Sequence, residues 1–185
     1  MARGVVSPRV GAERGTVERT WLAGKFAVVI DDLAACIAAS DHPARLTGTV
    51  SFGPLTERAT ISDGSLHLYV PDSETGTKQI RYRATFPGGG GKRYRLEATK
   101  FIRPGRATVR EQVTAYARIL SADGTTAEEP TVVAAGVLVF RLRDLPAFLW
   151  SMRVAGASRL AGIRHFVTFA RRELTTPIAT APVRG

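Results

Sequence analysis

Two tyrosines carry the first chemical suggestion in this chain. Tyr82 falls among Ile80, Ala84 and Phe86, and Tyr94 among Leu96 and Ala98, while Arg81, Arg83 and Thr85, then Arg93, Arg95 and Glu97, occupy the intervening positions. Period-two alternation on both sides of Pro87-Gly88-Gly89-Gly90-Gly91 predicts a β-hairpin over Lys78 to Phe101 with one dry and one wet face. A phenol on a dry face needs a partner for its hydroxyl. The pair therefore belongs either to a core with satisfied phenols or to the wall of a ligand cavity.

Other chemistry-bearing residues are sparse. His42, His67 and His165 fall in different elements without metal-ligand spacing. His67 alternates with Leu66 and Leu68 and shares a face with Tyr69. A general base there requires an orienting acid that the sequence does not place, so a surface or hydrogen-bonded structural histidine is the simpler expectation. Glu97 and Glu111 stand among arginines; a solvated charge ladder with Arg81, Arg95 and Arg110 accounts for them better than paired acid-base carboxylates. The run Gly88 to Gly91 is followed by Lys92 at the start of a strand, not of a helix, which makes it a flexible hairpin tip and not a phosphate cradle. No nucleophile elbow, dinucleotide fingerprint or metal-spaced cluster is present, and no cofactor is expected.

Turn signals at Gly53-Pro54, Asp63-Gly64, Asp72 to Gly76, Pro104-Gly105 and Asp123-Gly124 divide the chain into strands. These are expected at Arg45–Phe52, Thr56–Ile61, Ser65–Val70, Lys78–Phe86, Lys92–Phe101, Ala107–Leu120 and Thr131–Phe140, with an eighth ending at Ile30. Short connections require an antiparallel meander, and one of this length closes into a barrel or folds over as a sandwich. Asp32 caps a short alanine-rich helix beginning at Leu33 and stopping near Ser40 to Pro43. Asp144 caps Leu145–Arg153, and a last helix over Ala157–Leu174 puts Leu160, Ile163, Val167, Ala170 and Leu174 on one stripe, either against the sheet or as a lid over a barrel mouth. The predicted fold is mainly β: a lipocalin-like antiparallel barrel of seven to eight strands, one helix on the N-terminal side and two C-terminal helices. One domain is expected over residues 16–174, with 1–15 and 175–185 as flexible termini.

The 185 residues are 44% hydrophobic and carry a net charge of +10. Lys25, Lys78, Lys92 and Lys100 are the lysines among 26 basic residues, and the arginines are scattered through every segment, which argues against a nucleic-acid interface. Cys36, the lone cysteine, reads as a small buried thiol. The first residues lack the apolar core of a secretory signal, and no apolar run approaches the ~20 residues that cross a bilayer, so the expectation is a cytoplasmic protein without membrane contact.

Aromatic residues spread over several strands, set against Ala84, Ala98, Ala115 and Ala117, can leave room for one small ligand inside a barrel of about eight strands. Tyr82, Tyr94, Leu96, Phe101, Phe140 and Trp150 are the expected substrate-binding residues; ordinary core packing would use the same side chains. No catalytic residue is assigned. The segments Phe26-Ala27-Val28-Val29-Ile30-Asp31-Asp32-Leu33, His42 to Val50, Asp63 to Val70, Ile80 to Arg83, Ala135 to Leu138, and Asp144-Leu145 leading to Met152 to Gly156 resemble the β-rich accessory region of actinobacterial multidomain proteins related to cholesterol oxidase, of the glucose-methanol-choline type. The flavin-binding and hydrolase parts of those proteins have no counterpart here, so the resemblance implies a scaffold and no reaction. In architecture and size the chain also looks like the small lipocalin-like cyclases of polyketide pathways, Diels-Alder enzymes among them. That likeness implies a cofactor-independent cyclase acting on an apolar natural-product intermediate; the alternative is a non-catalytic ligand-binding or accessory module beside a separate flavin oxidoreductase. The expected partner is an apolar small molecule, without nucleic acid or membrane, and pairing as a homodimer stays open.

Overall fold

The structure, a computed structural model, describes residues 20–105, 109–122, 130–151, 153–154 and 158–178. The expected termini 1–15 lie outside the described residues, as do the Asp123-Gly124 turn and the first residues of the strand expected from Ala107.

Alternation of side chains builds one long sheet. β1 (Leu22–Ile30), β2 (Pro43–Phe52), β3 (Thr56–Thr60), β4 (Asp63–Asp72), β5 (Thr77–Pro87), β6 (Arg93–Ile102), β7 (Thr114–Ser121) and β8 (Val132–Val139) pair antiparallel in the order β8-β7-β6-β5-β4-β2-β1, with β3 attached to β2. A two-residue strand β9 (Arg153–Val154) adds to β1 in parallel and was not foreseen. Among the described residues β1 and β8 do not pair, so the sheet curls into a half-barrel whose seam lies between them. Its concave side holds the core, drawing Val28, Val50, Leu66, Ala84, Phe86 and Leu96 from successive strands. Phe86 has no exposed surface, and losing such a ring costs about 3–5 kcal/mol.

The helices fit the ends. In α1 (Leu33–Ala38) the Asp32 carboxylate accepts from the Ala35 amide at 2.9 Å, the expected cap. One helical turn, α2 (Val109–Val113), replaces the first part of the strand expected over Ala107–Leu120, because packing against β6 overrides the strand preference of its valines. α3 (Leu145–Ser151) follows a 3-10 turn over Leu142–Asp144. In α4 (Arg159–Thr175) the Ser158 hydroxyl accepts from the Ala161 amide at 3.3 Å.

The buried face of α4 differs from the stripe read in the sequence. Phe166 and Phe169 are buried, whereas Leu160 is 72% exposed and Val167 46%. The two phenylalanines win that face because they bury the most apolar area, and the Phe169 ring meets His42 edge-on at 4.8 Å and Tyr69 at 5.7 Å. The other end of the helix is tied down by the Gly105 amide, which donates to the Leu174 carbonyl at 2.9 Å.

Two local departures shape the concave face. Tyr69 has φ 52°, and the β4–β5 register slips between His67 and Val70; this bulge turns Tyr69 inward beside Leu68, off the face it was expected to share with His67. The glycine run forms the expected hairpin tip, but a docked one: the Gly89 amide donates to the Leu55 carbonyl at 2.9 Å, and Gly90 sits at φ 68°.

At Gly48 (φ +134°), paired with Phe26, an added Cβ would fall on the Lys25 carbonyl oxygen, whereas at Gly53 nothing stands within 4 Å. Gly48→Ala should therefore lower stability by about 2 kcal/mol or more, through backbone strain and displacement of β1, and Gly53→Ala by much less. Urea midpoints of the two variants check this.

Candidate functional site

The β5–β6 ladder sets the geometry. Tyr82 lies opposite Ala98, Ile80 opposite Lys100 and Lys78 opposite Ile102. Period two carries the dry face beyond Tyr94, Leu96 and Ala98 to Lys100 and Ile102, so an amine points into the concave side. The sequence reading ended that face at Ala98 and missed Lys100. The signal was parity: Lys100 is an even number of residues from Tyr94.

Lys100 is only 7% exposed. Its ammonium donates to the Gln112 carbonyl of α2 at 3.0 Å and stands 3.8 Å from the centroid of the Phe140 ring and 5.8 Å from that of Tyr82. The Tyr82 and Phe140 rings stack at 5.9 Å with 26° between their planes, so the amine is held against two π faces. Burial pulls the Lys100 ammonium down to about 8. Burial likewise raises the Tyr82 phenol above its ordinary value, with Tyr69 a smaller contribution, and pushes Tyr69 up to about 12 with help from the Glu173 carboxylate.

These groups line a cavity of about 2280 Å³ between the curled sheet and α4, broadly open to solvent. Leu68, Tyr69, Ile80 and Leu96 form its inner wall, Phe166 and Ala170 one side, and β1 and β8 the margins of its opening. Of the expected binding residues, Tyr82, Leu96 and Phe140 are on this wall. Tyr94 is not: it is buried behind the wall, 6.1 Å from the Phe86 ring and against Gly88, where a Cβ would strike its ring. Phe101 has the opposite parity and lies on the convex face, 6.1 Å from Tyr116. Trp150 is 57% exposed, while Ala147 and Leu149 of the same helix face the cavity.

The remaining candidates lie elsewhere. His67 does have an acidic partner, since its Nδ1 is 2.8 Å from the Asp41 carboxylate, in a groove of about 300 Å³ on the convex face. Ser65 shares this groove, but among the described residues no hydrogen bond joins its hydroxyl to His67. That leaves a hydrogen-bonded surface histidine. Glu97 forms the expected ladder with Arg95 at 3.0 Å, joined by Arg118 at 2.7 Å and Arg83 at 3.6 Å, which were not expected. Arg81 donates instead to the Gln79 side chain, Glu111 pairs with Arg103, and the Arg110 side chain lies outside what is described. His42 is buried with Nδ1 2.9 Å from the Cys36 carbonyl. Among the described residues no three metal-ligating side chains group together, and no helix is long and apolar enough to cross a membrane.

The lysine has a thermodynamic signature. Its folded value of about 8 lies below the 10.5 of a free lysine, so between those limits the unfolded chain binds more protons than the native one. Stability contributed through Lys100 must therefore rise as pH increases from about 8 toward 10.5. The difference in urea midpoint between the native protein and Lys100→Met should shift in favour of the native protein over that window; a constant difference contradicts the burial.

A scan of family models and searches of curated proteins and solved structures return no match to this chain, so its function is read from the geometry of the site.

Proposed function

We propose that the protein binds an apolar small molecule in the concave cavity and acts on it as a cofactor-free cyclase of a polyketide or related natural-product intermediate. One observation carries the reading: a large cavity walled by aliphatic and aromatic side chains, with Tyr82 and Lys100 as the polar groups on its β5–β6 wall. A concave, largely apolar cleft with a few polar groups on its wall is the usual setting of a small-molecule site.

The chemistry follows from what the wall offers. A folded linear substrate held between the sheet and α4 has its reacting carbons brought together, and orientation of this kind supplies on the order of 7–11 kcal/mol without acid, base or metal. The stacked Tyr82 and Phe140 rings give a π surface for an unsaturated chain. The Tyr82 hydroxyl and the Lys100 ammonium donate hydrogen bonds to a substrate carbonyl, drawing electrons from the conjugated bond that reacts. A second reading, a binding module docked on a separate oxidoreductase, is favoured by β8, whose Val133, Val137 and Val139 are exposed along a sheet edge that pairs with no further strand among the described residues.

Gly136 provides the test, because it lies on the cavity margin with nothing within 4 Å of an added Cβ. Gly136→Trp should crowd the β8 margin of the cavity and weaken binding of a linear polyene ketone, as read by calorimetry, with the circular dichroism spectrum unchanged. Tyr82→Phe should keep the affinity and slow cyclisation of such a substrate. Failure of the native protein to bind the ketone would remove the cavity from consideration, unaltered binding in Gly136→Trp would place the ligand away from the β8 margin, and binding without turnover in the native protein would favour the accessory module.

A further inference from the structure

The concave face treats its two inward lysines differently. Lys78, 4% exposed, donates to the Glu173 carboxylate at 2.7 Å and to the Glu173 carbonyl at 2.8 Å. Lys100, one register step along β6 and 7% exposed, has no carboxylate within 4.0 Å among the described residues. A buried ammonium satisfied by one carbonyl and two ring faces keeps most of its desolvation cost, since each of these offers only a partial charge. Where this fold uses a buried lysine for structure, it supplies an acid; at Lys100 it supplies a cavity.

From this, and resting on the reading of the cavity as a ligand site, we propose that the apolar ligand carries a carboxylate that pairs with the Lys100 ammonium. The groups facing the amine are consistent with an incoming anion. Tyr82 from β5 brings a phenol, α2 brings the neutral Gln112 carbonyl, and Phe140 brings a ring. Glu111 of α2 is engaged by Arg103, and Glu173 of α4 by Lys78. Around the cavity opening Lys25, Arg58, Arg141 and Arg171 are exposed, against Asp144 as the acid, which lies 3.8 Å from Arg143. The rim therefore draws anions inward, and the lysine at the wall fixes the headgroup while the hydrocarbon covers the aromatic surface.

Binding of palmitate, palmityl alcohol and methyl palmitate to the full chain separates the headgroup from the tail. At pH 7 palmitate should bind about tenfold tighter than the alcohol or the ester, the usual worth of one charge-assisted hydrogen bond. Lys100→Met should abolish that preference, bringing acid, alcohol and ester to similar affinities, and Lys100→Arg should retain part of it. In the native protein the preference should fade as pH rises through about 8, where the amine loses its proton. This readout stands even if the methionine variant does not fold. Equal binding of acid and alcohol in the native protein overturns the carboxylate proposal and leaves the cavity reading intact; failure of all three probes to bind overturns the cavity reading itself.

Discussion

Ten consecutive cross-strand pairs between β5 and β6, from Lys78–Ile102 to Pro87–Arg93, form the rigid rail on which the site is built. Unlike the β4–β5 and β7–β8 ladders, this one runs without a register slip. A slip of β6 by one residue against β5 would turn Lys100 to the convex face and bring Phe101 in. Ala84, Phe86 and Leu96 anchor the ladder in the core along the same concave face, and the glycine turn docked on Leu55 holds its tip. Dry and wet faces thus fix each other: Glu97 among three arginines outside, an aromatic wall inside.

The second constraint is that the sheet curls without closing. With no pairing between β1 and β8 among the described residues, the concave side is covered by α4, whose Phe169 packs against His42, Tyr69 and the neighbouring Phe166. The Lys78–Glu173 pair locks the C-terminal turn of that helix to β5. What remains between sheet and helix is a cavity open along β1 and β8, and its depth leaves Lys100 desolvated.

Much of the fold was legible because it depends on local pattern. Alternation placed the eight antiparallel strands, and Asp32 marked the start of α1. The errors came where tertiary contacts outweigh local preference. Val109 to Val113 reads as strand by composition yet forms the turn that meets Lys100; Tyr69 leaves its expected face through a bulge that nothing in its neighbours announces. In α4, equal weight on all apolar residues selected Leu160 and Val167, where ring area selects Phe166 and Phe169. The cavity wall was partly legible: of the residues expected at a ligand site, Tyr82, Leu96 and Phe140 line the cavity and Tyr94, Phe101 and Trp150 do not, while Lys100 continues the parity of Tyr94, Leu96 and Ala98 with a residue type that is usually exposed.

Lys100 as a desolvated cation with no acidic partner among the described residues is the central claim. Its most direct test is a nuclear magnetic resonance titration of lysine side chains labelled at the carbon next to the amine, in a chain with Lys25, Lys78, Lys92 and Lys100 as its lysines. The account requires one resonance with a midpoint near 8 that disappears in Lys100→Met. If the Lys100 resonance instead titrates at the ordinary lysine value of about 10.4, the amine is hydrated or already paired, and the account is wrong.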